Sequence, residues 1–401
     1  LGLVGSEMCI RDSYKKDGVY AAFPQLDHMP DDRLAASFSI SYKRDHTVIG
    51  EWAVYESSDG GRTWSASTDP TIPHNWPAPA TREYSDRFNT VLADGTYICA
   101  GTTGWQAWDL SREEEARSLG MKTHAHRWDP DKIAVNPMKL VAQYSKDKGQ
   151  SWTRNEWDVP GFNHICSFSR GTLLENGPVL LPVYGTDTDG KTRSMLWRSS
   201  TNGHTGWRLI PMGNQSSVMK VGEQAVVETN PGTVLSLARN SAGYFVQMWS
   251  EDSGKSWSDP LLTDIWAPHS PPDLTRLADG RILCTYGYRR QPMGIRAVLS
   301  NDGGETWETD NTITLREDGG TPTQTMAITE IPDMESLRIS GAGFRERLSS
   351  TLVRGLYPSE NARPDLGYAI STQLSDDTIV TVYYITLSDA VTHCVATRWK
   401  I

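Results

Sequence analysis

The chain has 401 residues, of which 38% are hydrophobic and 22% charged, and its formal net charge is −10 at neutral pH. This acidic balance argues against a nucleic-acid partner, because nucleic acids bind to basic surfaces. The sequence contains no run close to the roughly 18 consecutive apolar residues of a membrane-spanning helix. The 15 tryptophans and 34 glycines indicate many short strands joined by tight turns.

The chain begins with a segment, residues 1–13 (LGLVGSEMCIRDS), that resembles a translated sequencing adapter. We exclude it from the fold, as expression scars are excluded, and assign residues 14–401 to a single domain. The natural start would then be missing, so the lack of a signal peptide carries no information. We expect a secreted or periplasmic protein.

A short phrase, Ser-x-Asp-x-Gly-x-Ser/Thr-Trp, recurs along the chain. Its four clear copies begin at Ser57, Ser145, Ser250 and Ser300, and a less regular copy begins at Ser199. The Asp can accept hydrogen bonds from its own turn, the Gly supplies the positive φ of a tight hairpin, and the Trp buries a large ring. The recurrence predicts an architecture of repeated units, with each phrase in an equivalent hairpin and each Trp buried.

Strand-like runs bounded by turn residues divide the chain into six units. The units cover about residues 19–71, 82–159, 163–212, 223–265, 269–315 and 365–399. The second unit contains an excursion, residues 105–137, whose Ser111-Arg-Glu-Glu114 start predicts a helix capping box. Six units are enough to close a ring of sheets, which would remove exposed sheet edges.

Residues 321–364 lack strand alternation and separate the fifth unit from the sixth. Because loops of this length are usually functional or disordered, we predict an irregular insertion. One interpretation is a lid that carries Arg345, Arg347 or Arg354 to the site. An assembly error is the alternative.

The repeated phrase resembles the Asp-box of sialidases and related BNR-repeat proteins. That resemblance implies an all-β fold, a six-bladed β-propeller of the sialidase type, with the boxes on its outer rim and away from the active site. It also implies an exo-acting, retaining glycoside hydrolase that cleaves a terminal acidic sugar from a glycan and needs no cofactor. Such enzymes use a tyrosine nucleophile, because a carboxylate would be repelled by the acidic substrate.

Three segments resemble those that supply the catalytic residues of that family. Gly222-Glu223-Gln-Ala-Val-Val-Glu228 resembles the strand of the tyrosine-activating glutamate, which implies that role for Glu223. Asp365-Leu-Gly-Tyr368 resembles the nucleophile strand, which implies Tyr368 as nucleophile. Asp45 precedes the first box at the place of the acid/base aspartate.

The family holds the substrate carboxylate with three arginines, here called the arginine clamp. The resemblance implies that Arg239 is one of them and that Arg289 or Arg290 is another. At the remaining position this chain has Ala22, and Tyr384 stands where the family has the carboxylate partner of that arginine. We therefore expect a wider and less positive pocket beside the first unit, and poor activity on a standard sialoside.

His164 and His269 stand at strand starts, where they are candidate substrate-binding residues beside the axis. With Tyr286 and Arg289, they also suit a lyase, in which a base removes a proton next to a carboxylate. The pair His124 and His126 has a spacing that permits two metal ligands, but no third ligand is signalled, so no metal site is predicted. Five cysteines, an odd number without metal-site spacing, indicate single thiols.

Two alternatives to a sialidase-type hydrolase therefore stay open. One is another carbohydrate-active enzyme on the same fold, either a polysaccharide lyase or a non-sialic glycosidase. The other is a non-catalytic propeller that binds glycans. Without the family resemblance, Glu223 would be interpreted as a solvated edge residue and Tyr368 as a core or rim aromatic.

Overall fold

The structure is a computed structural model that describes residues 9–41, 51–76, 84–126, 130–200, 202–213, 221–240, 243–267, 270–320 and 365–401. The described residues form antiparallel sheets, six of which are the blades of a β-propeller. This architecture confirms the prediction of an all-β, six-bladed fold. Asp45, His269 and residues 321–364 lie outside the described residues. In the described part of the chain, no helix has the length and apolar character needed to cross a membrane.

The strands alternate with tight turns throughout the chain. The first half contains β1 (Cys9–Tyr14), β2 (Tyr20–His28), β3 (Leu34–Ser41), β4 (Glu51–Ser57), β5 (Ser65–Ala66), β6 (Tyr84–Val91), β7 (Tyr97–Thr103), β8 (Gln106–Asp109), β9 (Lys122–Ala125), β10 (Lys132–Asn136), β11 (Lys139–Ser145), β12 (Thr153–Asp158), β13 (Phe162–Cys166), β14 (Thr172–Leu173), β15 (Val179–Asp187), β16 (Thr192–Arg198) and β17 (Arg208–Pro211). The second half contains β18 (Val221–Asn230), β19 (Thr233–Asn240), β20 (Tyr244–Ser250), β21 (Leu261–Trp266), β22 (Pro272–Arg276), β23 (Ile282–Tyr288), β24 (Met293–Ser300), β25 (Ile313–Gly319), β26 (Leu366–Gln373), β27 (Ile379–Thr386) and β28 (Thr392–Trp399).

The blades follow one another along the chain. Blade 1 is β2–β5, blade 2 is β6, β7, β11 and β12, blade 3 is β13–β17, blade 4 is β18–β21, blade 5 is β22–β25, and blade 6 is β26–β28 together with β1. β1 pairs antiparallel with β28, so the two ends of the chain share one sheet. β2 packs against the strands of blade 6, which makes the first and last blades neighbours. The segment that we set aside at residues 1–13 therefore overlaps β1, and the domain boundary at residue 14 stays a prediction.

The repeated phrases occupy equivalent hairpins, between the third and fourth strands of their blades. In the first phrase, the Ser57 hydroxyl accepts from the Gly61 N–H at 2.8 Å, and Asp59 accepts from both the backbone N–H and the hydroxyl of Thr63 at 2.9 and 2.6 Å. The same bonds recur in the other three clear copies. The prediction that the phrases lie in equivalent hairpins is therefore confirmed. Each hairpin is held by hydrogen bonds within a segment of eight residues.

Packing between blades also requires the glycine of the fourth phrase, Gly304. Gly304 has φ +101°, and a Cβ atom at this position would lie 2.4 Å from Leu235 Cδ2 of the preceding blade. The tryptophans are less enclosed than predicted. Trp307 is buried, whereas Trp64, Trp152 and Trp257 are half-buried and each packs against a hydrophobic cluster of the core.

We expect the phrases to contribute to acid denaturation. The Ser151 hydroxyl, its backbone N–H and Ser145 lower the pKa of Asp147 to about 2. A carboxyl whose pKa is depressed in the folded state stabilises the fold above its unfolded pKa, and this contribution is lost as the pH falls from about 4 towards about 2. In urea unfolding, the stability gap between wild type and Asp147→Asn should therefore shrink over that pH range. A gap that stays constant would contradict this assignment.

The excursion in the second blade folds into a separate small sheet, with strand order β8-β10-β9, and one short helix, α1 (Glu113–Ser118). Asp109 accepts from the Ser111 N–H at 3.1 Å, and Arg112 pairs with Glu115 at 2.8 Å. The predicted capping box at Ser111 and Glu114 is therefore wrong. The cap is formed two residues earlier by Asp109, because a 3₁₀ turn (Leu110–Arg112) precedes the helix.

Candidate active site

The innermost strands of blades 1, 4 and 6 each contain a β-bulge near their start. At each bulge a residue other than glycine has positive φ: Phe23 at 58°, Glu223 at 50° and Tyr368 at 48°. A left-handed backbone costs an L-residue about 1–2 kcal/mol, and bulges re-aim side chains relative to the regular alternation of a strand. Three strained bulges in equivalent places therefore mark a site built by the fold.

The Glu223 carboxylate lies at the centre of this site. Arg239 Nη1 donates to Glu223 Oε2 at 2.6 Å, and the Tyr184 hydroxyl donates to Glu223 Oε1 at 3.4 Å. Glu223 is also a side-chain hydrogen-bond partner of Tyr368. Blades 3, 4 and 6 thus bring two phenols and one guanidinium to a single carboxylate.

The Tyr368 phenol is held in its neutral form. Burial, and then the negative charge of Glu223, raise its pKa well above the usual range, while the charges of Arg239 and Arg289 act in the opposite direction. A neutral phenol is a weak nucleophile, and it needs a base within hydrogen-bond reach to react at neutral pH. Glu223 occupies that place.

The structure also distinguishes the two candidate arginines of the fifth blade. Both side chains are buried, with Arg289 donating from Nε to the Leu366 carbonyl at 2.9 Å and Arg290 donating from Nη1 to the Arg289 carbonyl at 2.8 Å. Of the two, Arg289 is the one whose charge acts on Tyr368. Arg289 is thus the better placed of the pair to meet a ligand beside the phenol.

Aromatic rings fill the side of the site next to blade 1. Ala22 and Tyr384 are fully buried, and the Phe23 ring lies 5.0 Å from Tyr368 and 5.3 Å from Tyr384 between ring centroids. Phe168 reaches in from blade 3, 5.9 Å from Tyr368. Phe23, Phe168, Tyr368 and Tyr384 thus form an aromatic wall on this side. The wider and less positive pocket that we expect here stays a prediction.

On the side of blade 3, the site continues through a row of rings. His164 lies 6.3 Å from Tyr184 and stacks at 6.2 Å on Trp105, which is supplied by the excursion. The ring of His124 also lies 4.3 Å from Trp105 between centroids. His164 Nε2 also lies 3.0 Å from Cys166 Sγ. His164 is therefore the direct neighbour of Tyr184, whose hydroxyl contacts Glu223.

An ion pair spans the centre of the ring between blades 3 and 5. Arg170 Nη2 donates to Asp273 Oδ2 at 3.1 Å and also to the Leu274 carbonyl at 3.0 Å. Asp273 also accepts from the backbone N–H of Ser371 in blade 6 at 3.0 Å. Burial raises the pKa of Asp273, and the Arg170 charge opposes that shift. Three blades are joined through one buried carboxylate.

The predicted site residues are therefore partly accounted for. Glu223, Arg239, Arg289 and Tyr368 meet, and His164 adjoins them through Tyr184. Arg290 is buried behind Arg289, while Asp45 and His269 lie outside the described residues. Sequence reasoning did not single out Tyr184, Phe168 or Phe23, which lie in ordinary strand-like and loop-like segments. Among the residues that the structure describes, no cluster of three or more metal-ligating side chains occurs.

The fold and the site define a propeller of the sialidase class, with Asp-box hairpins and a Tyr–Glu pair at its centre. Residues 120–379 match the family model described as a BNR repeat-like domain, and the chain belongs to that family as a divergent member of the sialidase and BNR-repeat superfamily. A sialidase from Paraclostridium sordellii is 22% identical over 260 residues. That match covers 61% of this chain and 59% of the relative's length.

Solved structures with the same fold cover nearly all of the chain. A protein of unknown function from Dyadobacter fermentans is 20% identical, with a TM-score of 0.69 and full coverage of both chains. The intramolecular trans-sialidase of Ruminococcus gnavus is 14% identical, with a TM-score of 0.56 and coverage of 97% of this chain and 96% of its own. The leech intramolecular trans-sialidase is 13% identical, with a TM-score of 0.56 and coverage of 96% and 70%. At these identities the likeness establishes the fold alone.

Proposed function

We propose that this protein is an exo-acting, retaining glycoside hydrolase of the sialidase type that acts on a terminal acidic sugar of a glycan. The observation that carries the proposal is the contact between Tyr368 and Glu223, two residues from different blades, each at a strained bulge. A phenol and a carboxylate in contact form a nucleophile–base pair.

The proposed reaction has two steps. Glu223 accepts the phenol proton of Tyr368 while the phenol oxygen attacks the anomeric carbon, and the bond to the leaving oxygen breaks with its electron pair. Asp45 is the candidate that protonates the leaving oxygen and then activates water. Water next displaces Tyr368 from the anomeric carbon, and two inversions give overall retention.

Arg239 and Arg289 are proposed to hold the acidic group of the substrate. Guanidinium groups bind carboxylates through charge-assisted and often bidentate hydrogen bonds. Arg239 has a second proposed role, because its guanidinium donates to Glu223 at 2.6 Å and so orients the carboxylate that is proposed as the base.

A second candidate function is a glycosidase for a sugar other than sialic acid. What favours it is the aromatic wall, in which Phe23 and Tyr384 surround the buried Ala22 in place of an ion pair. Such a wall contacts the apolar face of a sugar ring better than it contacts a carboxylate. A sugar other than sialic acid would be held by fewer charged contacts than sialic acid would be.

The test is a panel of terminal sialosides, other acidic glycosides, neutral glycosides and polyuronides, assayed for released aglycone and for unsaturated products. We expect aglycone release, with a first-formed product that retains its anomeric configuration by NMR. Unsaturated products would support a lyase instead. Glycan binding without turnover would support a binding propeller. Tyr97→Phe is the matched control for the substitution of Tyr368 by phenylalanine, because Tyr97 is a half-buried tyrosine that stacks on Trp76.

Arg239→Met tests the second role of that arginine. We expect kcat to fall as well as KM to rise, because the substitution removes the hydrogen bond that orients Glu223 together with a proposed substrate contact. The value of kcat/KM at neutral pH should fall by about 10-fold or more, since one charge-assisted contact is lost. An unchanged kcat would separate Arg239 from the function of Glu223.

A further inference from the structure

One pair of reactive side chains in the wall of the site has no part in the proposed hydrolysis. Cys166 and His164 stand two residues apart on β13, so they point to the same face of the blade. Cys166 Sγ lies 3.0 Å from His164 Nε2. All five cysteines are free thiols, and three of them, Cys99, Cys284 and Cys394, are buried, whereas Cys166 is half-buried.

The pair adjoins the candidate catalytic residues. The His164 ring lies 6.3 Å from Tyr184, and the Tyr184 hydroxyl donates to Glu223. Cys166 is also the cross-strand partner of Tyr184 in the pairing of β13 with β15. A group attached to Cys166 would therefore enter the space beside Tyr184.

We propose that Cys166, with His164 as its proton acceptor, is a reactive thiol and a site of covalent modification by small uncharged electrophiles. With a thiosulfonate, the thiol proton moves to His164 Nε2 and the Cys166 sulfur attacks the divalent sulfur of the reagent. The S–S bond of the reagent breaks, its electron pair leaves with sulfinate, and a mixed disulfide forms. A dithiol then reduces the mixed disulfide by thiol–disulfide exchange, becomes a cyclic disulfide itself, and restores the free Cys166 thiol.

The charged and titratable groups around the pair suit this chemistry. Burial, and then the charge of His124 on β9, lower the pKa of His164, so the imidazole is neutral at neutral pH. The same shift makes His164 a weaker base, so the feature that qualifies it as the proton acceptor is the 3.0 Å contact between Nε2 and the thiol. Tyr184 on β15 faces the pair as a neutral phenol, and the Glu223 charge behind it is matched by Arg239. Thiolate is the reacting form of cysteine, and a neighbouring imidazole raises its availability.

The experiment treats the full chain with methyl methanethiosulfonate and follows each cysteine by peptide mass spectrometry. Cys9 is the internal reference. It is half-buried and lies in β1, the edge strand that pairs with β28 in blade 6. We expect Cys166 to react about 10-fold faster than Cys9 at neutral pH, and His164→Gln to remove that advantage. The buried Cys99, Cys284 and Cys394 report folding, because they become labelled only in an unfolded variant.

A second measurement keeps the test independent of the variant. In wild type, the rate advantage of Cys166 over Cys9 should disappear when the protein is unfolded in urea, because the contact with His164 at 3.0 Å is then lost. Equal labelling rates for the two cysteines in the folded protein would overturn the proposal. So would fast labelling of Cys166 in a folded His164→Gln protein.

A further expected effect rests on the proposed function. Labelling of Cys166 should reduce glycoside turnover in proportion to its extent, dithiothreitol should restore it, and Cys166→Ser should resist the reagent. Turnover that persists after complete labelling would contradict the placement of the thiol in the site wall. If untreated wild type turns over no glycoside, the proposed function fails, while the labelling rates still decide whether Cys166 is activated.

Discussion

Tyr368→Phe is expected to lower kcat by at least about 1,000-fold, because it removes the oxygen that forms the covalent intermediate while keeping the ring. The ring packs at 5.0 Å on Phe23 and at 5.9 Å on Phe168, and these contacts survive the substitution. The melting temperature should therefore change little. The measurement is kcat with the substrate found in the glycoside panel, with thermal unfolding in parallel.

Glu223→Gln is the companion change. Loss of the base should cost about 100- to 10,000-fold in kcat. This variant keeps the shape and an acceptor for Arg239, so a loss of activity would report proton transfer rather than collapse of the site. Tyr97→Phe should behave as wild type. Full activity of Tyr368→Phe would refute the nucleophile assignment and favour the lyase or binding alternatives.

Arg170→Met is expected to destabilise the protein by about 3 kcal/mol, because it leaves the Asp273 carboxylate buried without its cation. Asp273 is 5% exposed, and it joins blades 3, 5 and 6 through Arg170 and the Ser371 N–H. The measurement is urea unfolding of wild type and variant at neutral pH. The double variant Arg170→Met/Asp273→Asn should recover part of the loss, since it also removes the uncompensated charge.

The loss of stability in Arg170→Met is expected to depend on pH. Burial already raises the pKa of Asp273, and Arg170 opposes the shift, so the pKa rises further in the variant. A carboxyl whose pKa is higher in the folded state makes the fold less stable as the pH rises above its unfolded value. The gap between wild type and Arg170→Met should therefore be largest at neutral pH and should shrink on acidification. A gap that grows in acid would contradict the role assigned to Asp273.

Much of the site could be predicted from its local segments. The runs around Glu223 and Tyr368 could be singled out because they resemble the corresponding segments of the sialidase family, and the structure brings the two side chains together. Phe168 and Tyr184 were not predictable, because nothing in their neighbouring residues distinguishes them from ordinary core positions. The same holds for the aromatic wall, since the replacement of an ion pair by Ala22 and Tyr384 does not say which rings fill the space.

The sequence by itself determined the repeat, the number of blades and the place of each Asp-box hairpin, because those hairpins are held by bonds within eight residues, as between Ser57 and Thr63. Only the tertiary structure decided which side chains meet at the centre of the ring. Arg170 and Asp273 are 103 residues apart, and Tyr184 and Glu223 are 39 apart. Such contacts depend on how whole blades pack and on bulges that turn single side chains inward, and neither leaves a pattern in the local sequence.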